Sequence, residues 1–283
     1  MATTKREFIF MTVLLSCASM VLLVTSLSTT SWVTANMVQT NEITSATLSH
    51  INYGLFEGYI SRYVAINNPL TFSLTITCVM DLGVCAVSCM QNADDRKAEV
   101  RTLYNTGTYD ESAMLRGCQG GSSLTPDAKQ DNNTSNTSDR RFINAGIWVG
   151  SIVFLAVALF MSLVSAGFGV YNAAFNPIET YLAVPGLYIW NGIAACSNLL
   201  VLILWGAQFA KVLVENVTYT EVIAGAFKNN TANLGYSYWL VFVAFILHGV
   251  NIGLLLFRKY LIDHETPPET PKIDDNDGLI FIY

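Results

Sequence analysis

Charge is scarce in this chain of 283 residues: Asp, Glu, Lys and Arg make up 13% of it, against about a quarter in soluble domains. What charge there is avoids four long stretches, Phe8 to Thr34, Phe142 to Tyr171, Tyr181 to Ala210 and Leu234 to Phe257, none of which holds an Asp, Glu, Lys or Arg. A pump or coupled transporter ordinarily places an ionisable group in its membrane path, so that absence argues against one. Histidine is scarcer still. His50, His248 and His264 are the three present, and their spacing supports neither a metal cluster nor a Cys/His pair. No phosphate-binding Gly-Lys loop, Gly-x-Ser-x-Gly elbow or His-Glu-x-x-His helix occurs, so the expectation is a non-enzymatic protein without cofactor, metal or catalytic residues. A net charge of -6 with no basic stripe argues against a nucleic-acid partner.

What is present is hydrophobic length. Apolar residues make up 52% of the chain and the mean hydropathy is +0.41. A spanning helix needs about 20 apolar residues to cross a hydrocarbon core of about 30 Å, and each of the four runs is long enough. The expected fold class is an all-α membrane protein, a four-transmembrane-helix bundle, with a lipid bilayer as its surroundings. The first run, preceded by Lys5 and Arg6, has the basic start of a signal peptide; uninterrupted from Phe8 to Leu27, it exceeds the 7 to 15 residues of such a core, so an uncleaved helix is expected.

Orientation rests on Asn132 to Ser138, where three overlapping N-x-S/T acceptors begin at Asn132, Asn133 and Asn136. Asn216 and Asn229 head two more, in the connection that four crossings place on the same side. The resulting scheme puts residues 1–7 in the cytosol, spans at 8–31, 142–171, 181–210 and 236–257, outer loops at 32–141 and 211–235, a cytosolic turn at 172–180 and a cytosolic tail at 258–283. A multi-pass protein of the plasma membrane with both termini inside is expected. Arg258 and Lys259 agree with the positive-inside bias, while Arg140 and Arg141 sit in a loop long enough to cross regardless.

The first outer loop alternates with period two over Ser31 to Val38, Ile51 to Phe56 and Leu70 to Cys78, which predicts a small extracellular β-sheet, to which the second loop has room to add. Residues Gln91 to Asp139 are polar, and from Cys118 onward, with Gly-Gly-Ser-Ser and the Asn/Ser/Thr tract, they read as a flexible, glycosylated segment. Cys78, Cys85, Cys89 and Cys118 lie in this loop, where an even count in an oxidising compartment favours disulfides in one of three pairings. Cys17 and Cys196 fall within spans and read as small buried thiols.

Polar side chains inside the spans need partners. Asn191 and Asn198 share a face of the third span, and His248 and Asn251 share one of the fourth; interhelical hydrogen bonding is the favoured reading over a proton or ion path. Gly146/Gly150 and Gly249/Gly253 are placed to let helices approach closely. At the chain end, Phe281-Ile282-Tyr283 has the hydrophobic last and third-last positions that a PDZ groove accepts.

Trp32, Tyr53-Gly-Leu-Phe-Glu-Gly58, Tyr171 to Thr180, Pro185-Gly-Leu-Tyr188, Ser237 to Phe242 and His248-Gly-Val-Asn251 together resemble the clarin family of the claudin-like four-transmembrane superfamily. Trp32 and Gly54-Leu55-Phe56 occupy the places of the claudin loop's Trp and Gly-Leu-Trp signature, with Phe in place of the second Trp. The insertion at Gln91 to Asp139 and the extra cysteines mark a divergent member with an enlarged first outer loop. The resemblance implies a non-enzymatic membrane-organising protein of sensory cells, tied to junctional or synaptic complexes and the actin cytoskeleton; the chain end adds a PDZ scaffold as an expected partner, beside lateral homo- or hetero-oligomers. The alternative is a claudin-like paracellular pore or an auxiliary channel subunit, for which Glu42, Glu57, Arg62 and Asp81 offer only sparse charge of mixed sign.

Overall fold

A computed structural model describes residues 2–39, 48–63, 69–106, 142–175, 184–214, 217 and 227–264. Four helices are long and apolar enough to cross a bilayer: α1 (Ala2–Ser28), α3 (Ala145–Ala174), α4 (Val184–Gln208) and α5 (Tyr236–Asp263). Between α1 and α3 come β1 (Val33–Gln39), β2 (Leu48–Tyr53), β3 (Glu57–Tyr63), β4 (Pro69–Val79), β5 (Val84–Ser88), α2 (Ala93–Thr106) and β6 (Ile143–Asn144); β7 (Phe227–Leu234) precedes α5. The protein is thus a multi-pass membrane protein, four helices carrying one small antiparallel sheet.

The spans pack inside-out relative to a soluble bundle. In α3 the buried positions other than Leu155 are small or polar, among them Ser151, Ala158, Ser162, Ser165 and Gly169, while Val153, Phe160 and Leu163 face outward. Lipid tails solvate large apolar side chains as well as a protein core does, so close helix contact depends on small residues and hydrogen bonds. Buried Leu187, Asn191, Ala194, Asn198, Val201, Trp205 and Gln208 recur at alternating steps of four and three along α4, the repeat of a bundle seam. The close approach of α1 to α3 falls at Gly169, where an added Cβ would stand 2.6 Å from Val13 Cγ2. Gly249 and Gly253 face open space and Gly150 meets only Leu204 at 3.6 Å, so the two glycine pairs singled out in the sequence do not make the tight contacts.

Seven strands lie in the order β6-β5-β4-β3-β2-β1-β7, every neighbour antiparallel. The last strand comes from the second loop and pairs with β1, Val33 opposite Leu234. Sheet and bundle share one hydrophobic core, running from Ile51, Tyr53 and Leu55 through Trp32 to Trp205 and Val241. The polar second half of the first loop opens with a helix, while the part read as flexible, from Cys118 onward, lies outside the described residues. Over α2, Glu99, Val100 and Leu103 are buried, and Val100 packs with Val79 and Ala86 of the sheet.

Helix ends depart from the sequence boundaries for local reasons. At the start, α1 already begins at Ala2 within the stretch assigned to the N-terminal stub, and it stops at Ser28, before Thr30 and Ser31. Two residues of strand precede α3, and Asn144 caps it, its Oδ1 accepting from Ile147 N–H at 3.1 Å. Beyond Gln208 the chain makes one π-helical turn, Phe209–Leu213. The last span runs on through Arg258 and Lys259 to Asp263, since charged residues are good helix formers once outside hydrocarbon.

Candidate functional site

Two assemblies of polar groups stand out, one where sheet meets bundle and one inside the bundle. At the first, Trp32 is fully buried; its indole Nε1–H donates to the Ser26 carbonyl at 2.8 Å, and its ring meets Trp205 edge-on at 5.3 Å and Tyr238 at 6.4 Å. Backbone bonds lock the same point: Gly235 N–H donates to Trp32 O (2.9 Å) and Ser237 N–H to Ser31 O (3.1 Å). Ser26 Oγ donates to the Ser237 carbonyl at 2.8 Å, and Thr29 and Ser237 hydroxyls lie 2.7 Å apart. A Cβ on Gly235 would collide with the Ser31 carbonyl oxygen, so only glycine lets the start of α5 approach the end of α1 this closely.

Inside the bundle, six buried side chains from all four spans form one network. Asn191 of α4 is at its centre. Its Nδ2 donates to the Leu187 carbonyl (2.8 Å) and to Ser165 Oγ (2.7 Å), which fixes the other amide atom as the acceptor. That oxygen faces His248 Nδ1 at 2.9 Å and accepts from Asn251 Nδ2 at 3.0 Å. Because that oxygen only accepts, the imidazole carries a proton on Nδ1; its Nε2 lies 2.9 Å from Ser162 Oγ, a hydroxyl that also reaches the Ala158 carbonyl at 2.8 Å. Ser16 of α1 closes the ring, 3.1 Å from Ser165 Oγ and accepting from Asn251 Nδ2 at 3.1 Å. Each interhelical bond of this kind contributes about 0.6 kcal/mol on average, so six side-chain contacts come to roughly 4 kcal/mol. Specificity follows too, because a helix rotated or shifted by one residue would leave amides unpaired in hydrocarbon.

Asn198 does not join. Although fully buried on the same face as Asn191, both its amide atoms lack a partner, as do Ser19 Oγ and Asn251 Oδ1. Two turns of helix rise about 10 Å, and seven residues along the neighbouring spans from Ser165 and Asn251 stand Ala158 and Ala244, which offer no polar side chain. The serines that complete the network, Ser16, Ser162 and Ser165, carried no distinguishing signal in a chain whose spans hold many serines. Among the described residues no group of three His, Cys, Asp or Glu is placed to hold a metal ion.

Cys78 and Cys85 sit opposite each other on β4 and β5 and form a disulfide. Cys89 is disulfide-bonded as well; Cys118 lies outside the described residues. Cys17 and Cys196 are free, the second of them exposed on its helix rather than buried. Asn132, Asn133, Asn136 and Asn216 lie outside the described residues, as do Phe281, Ile282 and Tyr283; the backbone of Asn229 belongs to β7, opposite Met37. His50 pairs through Nδ1 with Asn36 Oδ1 at 2.6 Å across β1 and β2.

Sequence reasoning gave no hint of Glu99. This carboxylate is sealed between α2 and the sheet and accepts from Ser88 Oγ; burial pushes it up to about 7, against the lowering effect of that hydrogen bond. The charge of Asp81, which a pore would need, is paired with Arg101 at 3.0 Å.

No protein-family model matches the chain. Among characterised proteins it is similar to human clarin-3, 31% identical over 134 residues that cover 46% of this chain and 59% of that protein. Mouse clarin-3 aligns over 99% of the chain and all of its own length at 23% identity, and mouse clarin-1 over 116 residues at 31%, which is 40% of this chain and 49% of the relative. The match to human clarin-3 thus spans somewhat over half of that relative, whereas the match to the mouse protein runs from end to end.

Proposed function

We propose that this divergent member of the clarin family organises membrane complexes without catalysing a reaction: its sheet faces outward as a contact surface, and its C-terminus recruits a PDZ scaffold linked to actin. The observation that carries this reading is the joint at Trp32. A sheet sharing its core with the bundle, and bolted to α5 by backbone bonds and to α1 by the Trp32 indole, moves as one body with the spans. Contacts made by the sheet are then held in a fixed geometry relative to the membrane, which suits an adapter.

In this reading the sequons place the sheet outside the plasma membrane and both termini in the cytosol. Junctional or synaptic membranes of sensory cells are the setting that the clarin resemblance implies. The interior supports a structural role: six of its polar side chains, His248 among them, bond one another across all four spans, and among the described residues no Asp, Glu, Lys or Arg of the spans is buried. Asp81, paired with Arg101, weakens the competing reading of a charge-selective pore or auxiliary channel subunit.

The test is capture of a PDZ scaffold by full-length protein and by a variant lacking residues 281–283, in parallel with conductance across an epithelial layer expressing each. Organisation predicts capture that needs the last three residues and an unchanged conductance. Conductance that rises with expression and falls on Glu57→Gln would favour the pore instead.

A further inference from the structure

The two edges of the sheet are finished differently. At one, β6 is only two residues long and leads straight into α3, and its outer side meets the buried amide of Gln208. Asn144 N–H donates to Gln208 Oε1 at 3.4 Å, and Gln208 Nε2 donates to the Phe142 carbonyl at 3.5 Å. Those are the two groups that a strand presents on one side, so a side-chain amide stands where the backbone of a further strand would lie. This edge is closed.

The other edge is open. β7 pairs with β1 alone, and among the described residues nothing pairs with its outer side. The bond from Gly235 N–H to Trp32 O sets the ladder's phase, which turns the N–H and C=O of Ala232 and Leu234 toward the free side. A strand of eight residues with one side unpaired is a template for edge-to-edge joining. Membrane insertion sharpens the hazard: every copy holds its sheet at the same height and in the same plane, which raises the effective concentration of one open edge for another. Natural sheets blunt such edges with bulges, charge or a covering group.

Two of those devices coincide here. Asn36 pairs with Thr231 and Met37 with Asn229, so the ladder slips at Asn230, a bulge in the free edge. That bulge sits inside the acceptor triplet Asn229-Asn230-Thr231. We propose that an N-linked glycan on Asn229 guards the open edge of the sheet and keeps two copies from joining strand to strand. A glycan is bulky and hydrated, and one attached at the middle of β7 crowds the approach of a second copy's edge. This proposal rests on the orientation given above, in which the sheet lies on the lumenal and then outer side.

The experiment uses full-length protein in cells, with Asn229→Gln and Thr231→Ala as independent ways to remove the glycan. Glycosidase mobility reports occupancy, and cross-linking followed by native electrophoresis in mild detergent reports association. Each variant is expected to lose one glycan's worth of mobility shift and to raise the cross-linked dimer and higher species severalfold. Asn233→Lys, at an exposed position of the same strand, supplies an alternative guard and should return Asn229→Gln to the wild-type distribution, which a misfolded protein would not do. Shifts at Asn132, Asn133 or Asn136 without one at Asn229 would overturn the guard while leaving the orientation standing; shifts at none of them would remove both. An occupied Asn229 whose loss leaves association unchanged would also overturn it, as would association that Asn233→Lys fails to reverse.

Discussion

Asn191 Oδ1 lies 2.9 Å from His248 Nδ1, joining α4 to α5 in the middle of the bundle at the point where α1 and α3 also converge. Replacing Asn191 with Leu leaves His248, Asn251 and Ser165 short of partners at once. The expected loss is about 2 kcal/mol, seen as a lower midpoint for thermal unfolding of the full-length protein in detergent. Asn198→Leu is the opposing test. Both of its amide atoms are buried without a partner, so the same substitution two turns away should leave the midpoint unchanged or raise it. Equal losses at the two positions would contradict the network.

The contrast between these two asparagines also marks what the sequence could and could not reveal. The spans were legible because hydrocarbon admits only long uncharged runs, and Asn191, His248 and Asn251 because amides and imidazoles are costly there. A helical face is shared every seven residues, so periodicity could not tell that Asn191 meets polar neighbours and Asn198 meets alanines. Serine is common in membrane helices and so carried no signal at Ser16, Ser162 or Ser165. The helix α2 was hidden by its polarity: only Glu99, Val100 and Leu103 are buried, too few to raise an apolar period. Lys-Asn-Asn-Thr in β7 reads as a loop, and it takes the pairing with β1 to make a strand of it.

Trp32 should be among the most sensitive positions in the chain. Trp32→Ala removes a fully buried indole, its bond to Ser26 O and its contacts with Trp205 and Tyr238, with an expected cost of about 3 to 5 kcal/mol. Surface delivery should fall by most of its wild-type level, measured by cell-surface biotinylation, with Trp32→Phe intermediate.

Docking of α2 on the sheet should depend on pH. Burial raises Glu99 from an ordinary 4.5 to about 7, so the docked state binds the proton more tightly than the undocked one. The stabilisation is full below pH 4.5 and is lost as pH rises through 7, amounting to about 3 kcal/mol at most. Arg101 and Asp81 neutralise each other nearby, and Arg96 is engaged with the Met90 and Gln91 carbonyls. Amide exchange across residues 93–106 should therefore be slower at pH 5.5 than at pH 8, and Glu99→Gln should make the two rates alike after correction for intrinsic exchange.

The disulfide between Cys78 and Cys85 closes a short loop between β4 and β5, under which α2 packs. Cross-linking a loop of this size contributes roughly 2 kcal/mol. Replacing both cysteines with Ser should speed amide exchange in β4, β5 and α2 while leaving the network at Asn191 and the thermal behaviour of the spans close to wild type.

The proposed function requires a physical link, with the sheet fixed to the spans and the tail held by a scaffold tied to actin. Single-particle tracking of surface-labelled protein in living cells tests it most directly. Full-length protein should move in confined tracks that lengthen severalfold when residues 281–283 are deleted or actin is depolymerised, with the two treatments together adding nothing further. Free diffusion of the full-length protein, the same with and without its last three residues, would contradict the account.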